Sequence, residues 1–329
     1  MNTINNPKLA NFASRIENEI NEFVTLHTRP IYTADNRRKS ELNVGIEKSA
    51  FIIQGPINKE YNYTIETIKL YRKIFPDVLL IVSTWDDETI EALDIIESLG
   101  VKVIKSKKPT IAGIGNVNYQ IRSTKNGIEY AASCNAKYVL KTRTDVRIHA
   151  EDFLIHANDL MAQFPLTENV QAVQKKRLVS ISSGNKYLMN FVPDLNMFGH
   201  IDDMVKYWSP KEDDRNYIAD NLTIVDLAKF GVSESYFFQQ YFKQINTDFD
   251  YSIKGYWSIL KNHFVVMDGV SADVYWFRHN RYREFKNIHY LGRNTYDNFG
   301  FKDWLRLHVG RFPIACDIEV AQRGPGEFF

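Results

Sequence analysis

The sequence predicts an α/β fold with a mainly parallel central sheet covered by helices on both faces. Unbroken runs rich in branched and aromatic residues recur at 50–54, 78–83, 101–104 and 137–142, segments with apolar residues at helical spacing separate them, and turn or cap residues mark the boundaries. A short run apolar at nearly every position reads as a strand buried on both faces, and strands alternating with helices make right-handed βαβ units around a parallel sheet.

Residues 1–47 are polar with a weak helical pattern in Phe12, Ile16, Ile20 and Phe23, and read as a helical lead. The first strand, 50–54, runs into a turn at Gly55-Pro56. In the helix after it Ile65, Ile68, Tyr71, Ile74 and Phe75 share a face, Thr64 suits the cap and Pro76 the stop. The second strand, 78–83, is followed by Asp86 or Asp87 as cap for a helix carrying Ile90, Leu93, Ile96 and Leu99, with Gly100 just past its end. The third strand, 101–104, leads through a loop rich in glycine and asparagine, 113–118, to a helix over 120–133 and the fourth strand, 137–142. Beyond it the order is mixed: a helix at 151–164, a strand-like stretch at 170–181 and a helix from Glu234 to about Ile245. The expected organisation is a helical lead (1–47), a main domain (48–265) and a basic, aromatic extension (266–329). From 278 to 311 that extension carries eight Lys and Arg against three Asp and Glu.

Of the 329 residues 44% are hydrophobic and 13% aromatic, which supplies a sizeable core and excludes disorder. With 41 Lys and Arg against 40 Asp and Glu the net charge is +1, which argues against nucleic acid as a partner. Cys134 and Cys316 lie far apart without a CxxC companion, so neither a disulfide framework nor a cysteine zinc site is expected. The eight histidines form no HExxH. No stretch reaches the ~18 apolar residues of a membrane span, and residues 1–8 lack the pattern of a secretory signal, so a cytoplasmic location is expected. No GxxxxGK[ST] is present, and Gly113-Ile-Gly-Asn-Val-Asn118 has Asn where GxGxxG needs its third glycine, which weakens kinase and dehydrogenase readings.

In an open parallel sheet, ligands sit beyond the carboxyl ends of the strands. Those ends carry Gln54-Gly55-Pro56, Ser83-Thr-Trp-Asp86, Lys105-Ser106-Lys107 and Thr142-Arg-Thr-Asp-Val-Arg147. Asn116, Asn118, Gln120 and Arg122 at a helix start suit sugar hydroxyls and a phosphate, or form a turn with its cap. The strongest feature is Lys141-Thr-Arg-Thr-Asp-Val-Arg147, a strand running into a carboxylate flanked by three cations. A salt-bridge knot is one reading. A diphosphate site is the other, because Arg143 and Arg147 offer fork-like charged hydrogen bonds, each ~1.5–3 kcal/mol.

The element order resembles GT-A glycosyltransferases, in which the loop after the fourth strand usually reads Asp-x-Asp and binds metal and nucleotide diphosphate. More closely, Phe51-Ile-Ile-Gln-Gly-Pro56, Glu66-Thr-Ile-Lys-Leu-Tyr71, Val82-Ser-Thr-Trp-Asp86, Asn116-Val-Asn-Tyr-Gln120 and Lys141-Thr-Arg-Thr-Asp145 resemble the WavE lipopolysaccharide-synthesis family, over about residues 50–260. The resemblance implies a GT-A-like nucleotide-diphospho-sugar transferase fold and transfer of a hexosyl or related group from a nucleotide sugar to a lipopolysaccharide or capsular glycan. It places Gln54, Asp86, Asn118, Arg143, Asp145 and Arg147 around the donor, and Gly55, Pro56, Asn116, Gln120 and Arg122 join them as candidate donor contacts from their places at the strand end and helix start. Arg147 stands where the pattern has its second aspartate; magnesium or manganese would then bind through Asp145 and the phosphates, or arginine would stand in for the metal. On the acceptor side, Asp194 after Pro193 suits sugar binding or a turn, and Glu234 suits a general base or a first-turn glutamate. The basic extension suits a lipid-linked or acidic glycan acceptor, or the inner membrane surface, if it is not an ordinary helical cover. Rival readings are a non-catalytic nucleotide-sugar or glycan-binding subunit of an assembly complex, and a sugar nucleotidyltransferase.

Overall fold

The computed structural model describes residues 7–21, 23–24, 28–32, 34, 38–42, 48–181, 184–217, 222–280 and 298–312. Along the chain α1 (Pro7–Ile20) is followed by β1 (Ser49–Gln54), α2 (Tyr63–Ile74), β2 (Leu79–Trp85), α3 (Ile90–Ser98), β3 (Lys102–Ser106), α4 (Val117–Ser133) and β4 (Tyr138–Arg143). Next come β5 (Val146–Ile148), α5 (Phe153–Gln163), α6 (Glu168–Gln171), β6 (Leu178–Ile181), β7 (Gly184–Asn185), β8 (Met197–His200), α7 (Ile201–Trp208), α8 (Ile224–Phe230) and α9 (Ser233–Gln244). The last are α10 (Ile253–His263), β9 (Phe264–Met267), β10 (Val274–Trp276), α11 (Phe277–Asn280), β11 (Asn298–Phe299) and α12 (Phe301–His308).

Seven strands form the central sheet in the order β3-β2-β1-β4-β8-β6-β9. β8 is antiparallel to both its neighbours, while every other pairing is parallel. This is the expected α/β class. β1 is buried along its whole length, as a central strand clothed on both faces must be. Because β8 runs backwards, the loop that precedes it arrives at the same sheet end as the carboxyl terminus of β4.

The strand-like stretch at 170–181 holds the last two residues of α6, a connection and the strand β6. The boundary expected between 265 and 266 falls inside β9, and β10 pairs with β5 through Trp276–Val146, Tyr275–Arg147 and Val274–Ile148. α12 packs on α10 and β9. The described parts of the extension are therefore built into the same body. Residues 281–297 and 313–329, which hold several of its cations, lie outside the described residues.

Candidate active site

Side chains alternate across a strand, so Lys141 and Arg143 of β4 point to one face. In register beside them lie Ile52 and Gln54 of β1, and Ser83 of β2 beyond Gln54. α4 covers this face, and Gly127 lets it settle closely: a Cβ there would lie 2.5 Å from Ile52 Cγ2. The Ser123 hydroxyl lies 2.8 Å from Gln54 Oε1, and Ser83 donates to the Ser123 carbonyl at 2.6 Å. A sheet face under a helix would ordinarily be apolar; here its end is polar and hydrogen-bonded.

Lys141 is fully buried. Its ammonium donates to Gln120 Oε1 at 3.1 Å and to the Asp194 carbonyl oxygen, and lies 4.4 Å from the centre of a Trp208 ring. Gln120 in turn donates through Nε2 to Asp194 Oδ2. Burial pushes the lysine down to about 8, against the opposing pull of Asp194. Glu234, in the first turn of α9, is pushed up to about 8 by burial first and then by the Asp194 carboxylate, while Lys141 and Arg143 act the other way. The start of α9 is fixed by the loop before α4, since a Cβ on Gly115 would lie 2.0 Å from Ser233 Oγ. The Tyr207 hydroxyl is buried without a hydrogen-bond partner among the described residues, and burial followed by the charges of Asp194 and Glu234 raises its pKa.

Two residues past Lys141, Arg143 grips Asp145 with both arms, Nε to Oδ1 at 2.9 Å and Nη2 to Oδ2 at 3.0 Å. Trp276 of β10 donates its indole N–H to Asp145 Oδ2 at 3.0 Å, and its ring centre lies 5.4 Å from the guanidinium carbon. Burial raises the Asp145 pKa, but the hydrogen bonds and charge of Arg143 more than offset it and hold the carboxyl below its ordinary range.

The structure thus brings Gln120, Arg143, Asp145, Asp194 and Glu234 together around Lys141, with Gln54 alongside. It does not bring Arg147 there. That guanidinium is buried on the far side, donating to Thr67 Oγ1 at 2.9 Å, the Tyr63 carbonyl at 3.2 Å and the Ile31 carbonyl at 3.3 Å, and stacked 4.3 Å from the Tyr63 ring centre. Asn118 is buried and straps the 213 region, exchanging hydrogen bonds with the Asp213 backbone at 2.6 Å each way. Arg122 forks onto Glu212 at 2.7 and 2.8 Å. Gly55 and Pro56 form a turn closed by Thr144, whose N–H donates to the Gln54 carbonyl and whose hydroxyl donates to the Pro56 carbonyl. Asp86 and Asn116 stand exposed at the ends of β2 and the α4 loop.

Sequence reasoning treated Lys141 as a flanking cation and passed over Trp276 and Tyr207. The signal for Lys141 was its period-two relation to Arg143 in an otherwise apolar strand. Trp276 reaches the site only through the β5–β10 pairing, which nothing local announces. Both Asp145 oxygens are engaged by Arg143 and Trp276, and no group of three or more His, Cys, Asp or Glu among the described residues could by itself supply the several oxygen ligands a divalent cation takes.

The WavE lipopolysaccharide synthesis family matches residues 49–216, just over half of the sequence. The chain belongs to this family. The matched span holds Gln120, Lys141, Arg143, Asp145 and Asp194, whereas Glu234 and Trp276 lie beyond it. No curated protein matches the chain. Among solved structures the family member is similar to a 4-diphosphocytidyl-2C-methyl-D-erythritol synthase from Anaerococcus prevotii, at 12% identity and a TM-score of 0.35, covering 61% of this chain and 85% of that one. It is also similar to glucosyl-3-phosphoglycerate synthase from Mycobacterium tuberculosis, solved with Mn2+, uridine diphosphate and glucosyl-3-phosphoglycerate, at 11% identity and a TM-score of 0.33, covering 68% and 88%. A third is core-mannan synthase A from Aspergillus fumigatus in an Mn/GDP form, at 9% identity and a TM-score of 0.33, covering 75% and 80%.

Proposed function

We propose that this chain is a glycosyltransferase that moves a sugar from a nucleotide-sugar donor to a growing lipopolysaccharide or capsular glycan. Family membership supports the pathway. The observation that carries the chemistry is the meeting of two cations, Lys141 and Arg143, with two carboxylates, Asp194 and Glu234, at the carboxyl end of β4, where an open sheet receives its ligand.

In this reading Arg143 exchanges Asp145 for the donor's diphosphate and, with the buried charge of Lys141 behind it, stabilises the negative charge that grows as the bond from the sugar's anomeric carbon to the diphosphate breaks. The acceptor oxygen forms the new bond to that carbon, its proton passes to Glu234, and the nucleoside diphosphate leaves. A base with a pKa near working pH is well matched to that transfer. Asp194 holds the acceptor sugar. Arg147 acts at a distance, by fixing the β5–α2 packing beneath the loop. We place the reaction on the cytoplasmic side, with the basic extension toward acceptor or membrane; no helix among the described residues is long and apolar enough to cross a membrane.

Calorimetric titration with uridine, guanosine and cytidine diphosphates and their sugar conjugates tests the donor site. Binding of one base series, lost in Arg143→Ala, is expected. Absence of binding by all three series overturns the reading.

A further inference from the structure

A cavity of about 420 Å³ opens between the end of β3, the outer side of α4 and the segment after α7. It is lined by Ser106, Lys107, Arg122, Lys125, Lys211 and Glu212, among others. It is separate from the cluster around Lys141, because Gln120, Ser123 and Gly127 of α4 face the sheet while Arg122, Lys125 and Asn126 face this cavity.

The walls are built. Arg122 is forked onto Glu212 and donates through Nη1 to the carbonyls of Lys107 and Lys108, both at 3.1 Å, so one guanidinium ties the β3 loop to the 210–212 segment. Asn126 donates to Ser106 Oγ at 2.7 Å, which leaves the hydroxyl proton of that buried serine free to donate into the cavity. The fork also neutralises the one carboxylate among the lining residues. Lys125 has a loose contact with Glu129 at 3.9 Å, and Lys107 and Lys211 have no ion-pair partner among the described residues. The lining therefore carries three lysines and a buried hydroxyl against a single carboxylate, which Arg122 already engages. Phosphate, with three acceptor oxygens and nearly two charges, matches three point-like donors better than a planar carboxylate, which favours the guanidinium fork already spent on Glu212.

We propose that this cavity binds the phosphate group of a phosphorylated sugar, so that a phosphorylated glycan acceptor is held on one side of α4 while its hydroxyl reacts on the other. The acceptor role rests on the transferase reading; the binding itself does not.

The test is calorimetric titration of the full chain with glucose 6-phosphate, inorganic phosphate and uridine diphosphate, for the wild type and for Lys107→Glu/Lys211→Glu. Glucose 6-phosphate is expected to bind the wild type and to bind the double variant at least tenfold more weakly, with the melting temperature and the uridine diphosphate titration unmoved. Lys107→Gln/Lys211→Gln should fall between the two. No binding of glucose 6-phosphate by the wild type, or equal binding by both proteins, overturns the site. Inorganic phosphate binding as tightly as glucose 6-phosphate overturns sugar recognition. An equal loss of uridine diphosphate affinity assigns the cavity to the donor and overturns the proposal as well. Failure of every nucleotide to bind, with glucose 6-phosphate behaving as expected, sinks the transferase reading and leaves this site standing.

Discussion

On the face of the sheet that α2 and α5 cover, Phe51 meets Tyr71, Phe75 and Phe153 edge to face, with ring centres 5.6, 5.0 and 6.1 Å apart, and Phe153 reaches across to Phe198. On the opposite face of the same strands, under α4, α7 and α9, Lys141 is as deeply buried as those rings and Asp194, Glu234 and Arg143 crowd around it. One face is dispersion and burial without alternatives. The other holds ionisable groups that cost free energy to bury: Lys141 and Arg143 have hydrogen-bonded partners, while burial drives Glu234 toward its neutral form. The difference separates what holds this protein together from what it is poised to do, and single substitutions on the two faces should fail in different ways.

The largest contrast is expected at Glu234. Glu234→Gln keeps volume and hydrogen bonding but removes the base, and should lower turnover ~10²–10⁴-fold with donor affinity nearly unchanged, read by steady-state kinetics beside calorimetry. Unchanged turnover with a shifted melting temperature would make it a helix-end residue. On the aromatic face, Phe51→Ala should cost about 3–5 kcal/mol in chemical denaturation while the fraction that remains folded keeps its donor affinity.

The two arginines of the loop sharpen the same division. Arg143→Ala should lower turnover by roughly 10²–10³, the cost of one preorganised charge donor. Arg147→Ala should cost ~1–3 kcal/mol of stability by leaving buried carbonyls unsatisfied, with a smaller effect on turnover. Equal kinetic losses in both would erase the distinction between them.

The smallest effect is a pH dependence. A carboxyl raised to about 8 in the folded state binds a proton that the unfolded chain has lost, so its contribution to stability is full below its ordinary pKa near 4.5 and declines as pH rises through 8. Lys141, lowered to about 8 from 10.5, contributes the reverse between 8 and 10.5. Glu234→Gln should flatten the acid-to-neutral slope in a denaturation series. The same variant should remove an ascending limb near pH 8 from kcat/KM, since the base must be ionised to act.

The first four strands and the helices between them were legible because each is an unbroken apolar run or a clean helical stripe. β5, β7, β10 and β11 span only two or three residues each, too few to show a period, and β8 was hidden in a segment that reads as a turn around Asp194. The site divides along the same line. Arg143, Asp145 and Gln120 follow from strand ends and helix starts, and Asp194 and Glu234 stood out as carboxylates beside apolar stretches. That Arg147 turns away while Lys141 turns inward depends on the alternation of β4 and on how the chain bends after Arg143. Trp276 is contributed across 131 residues by a three-residue strand.

The spread of the charge cluster along the chain also sets an order in time. At ~5–20 residues per second during synthesis, Lys141 leaves the ribosome well before Asp194, and Glu234 follows roughly five to twenty seconds after the lysine. Throughout that interval the ammonium that the β1–β4 half must bury has Gln120 beside it but lacks the Asp194 carbonyl and the Trp208 ring. The nascent sheet therefore has reason to stay open at β4 until the reversed strand and α9 arrive, so that closing the sheet and completing the site become one event.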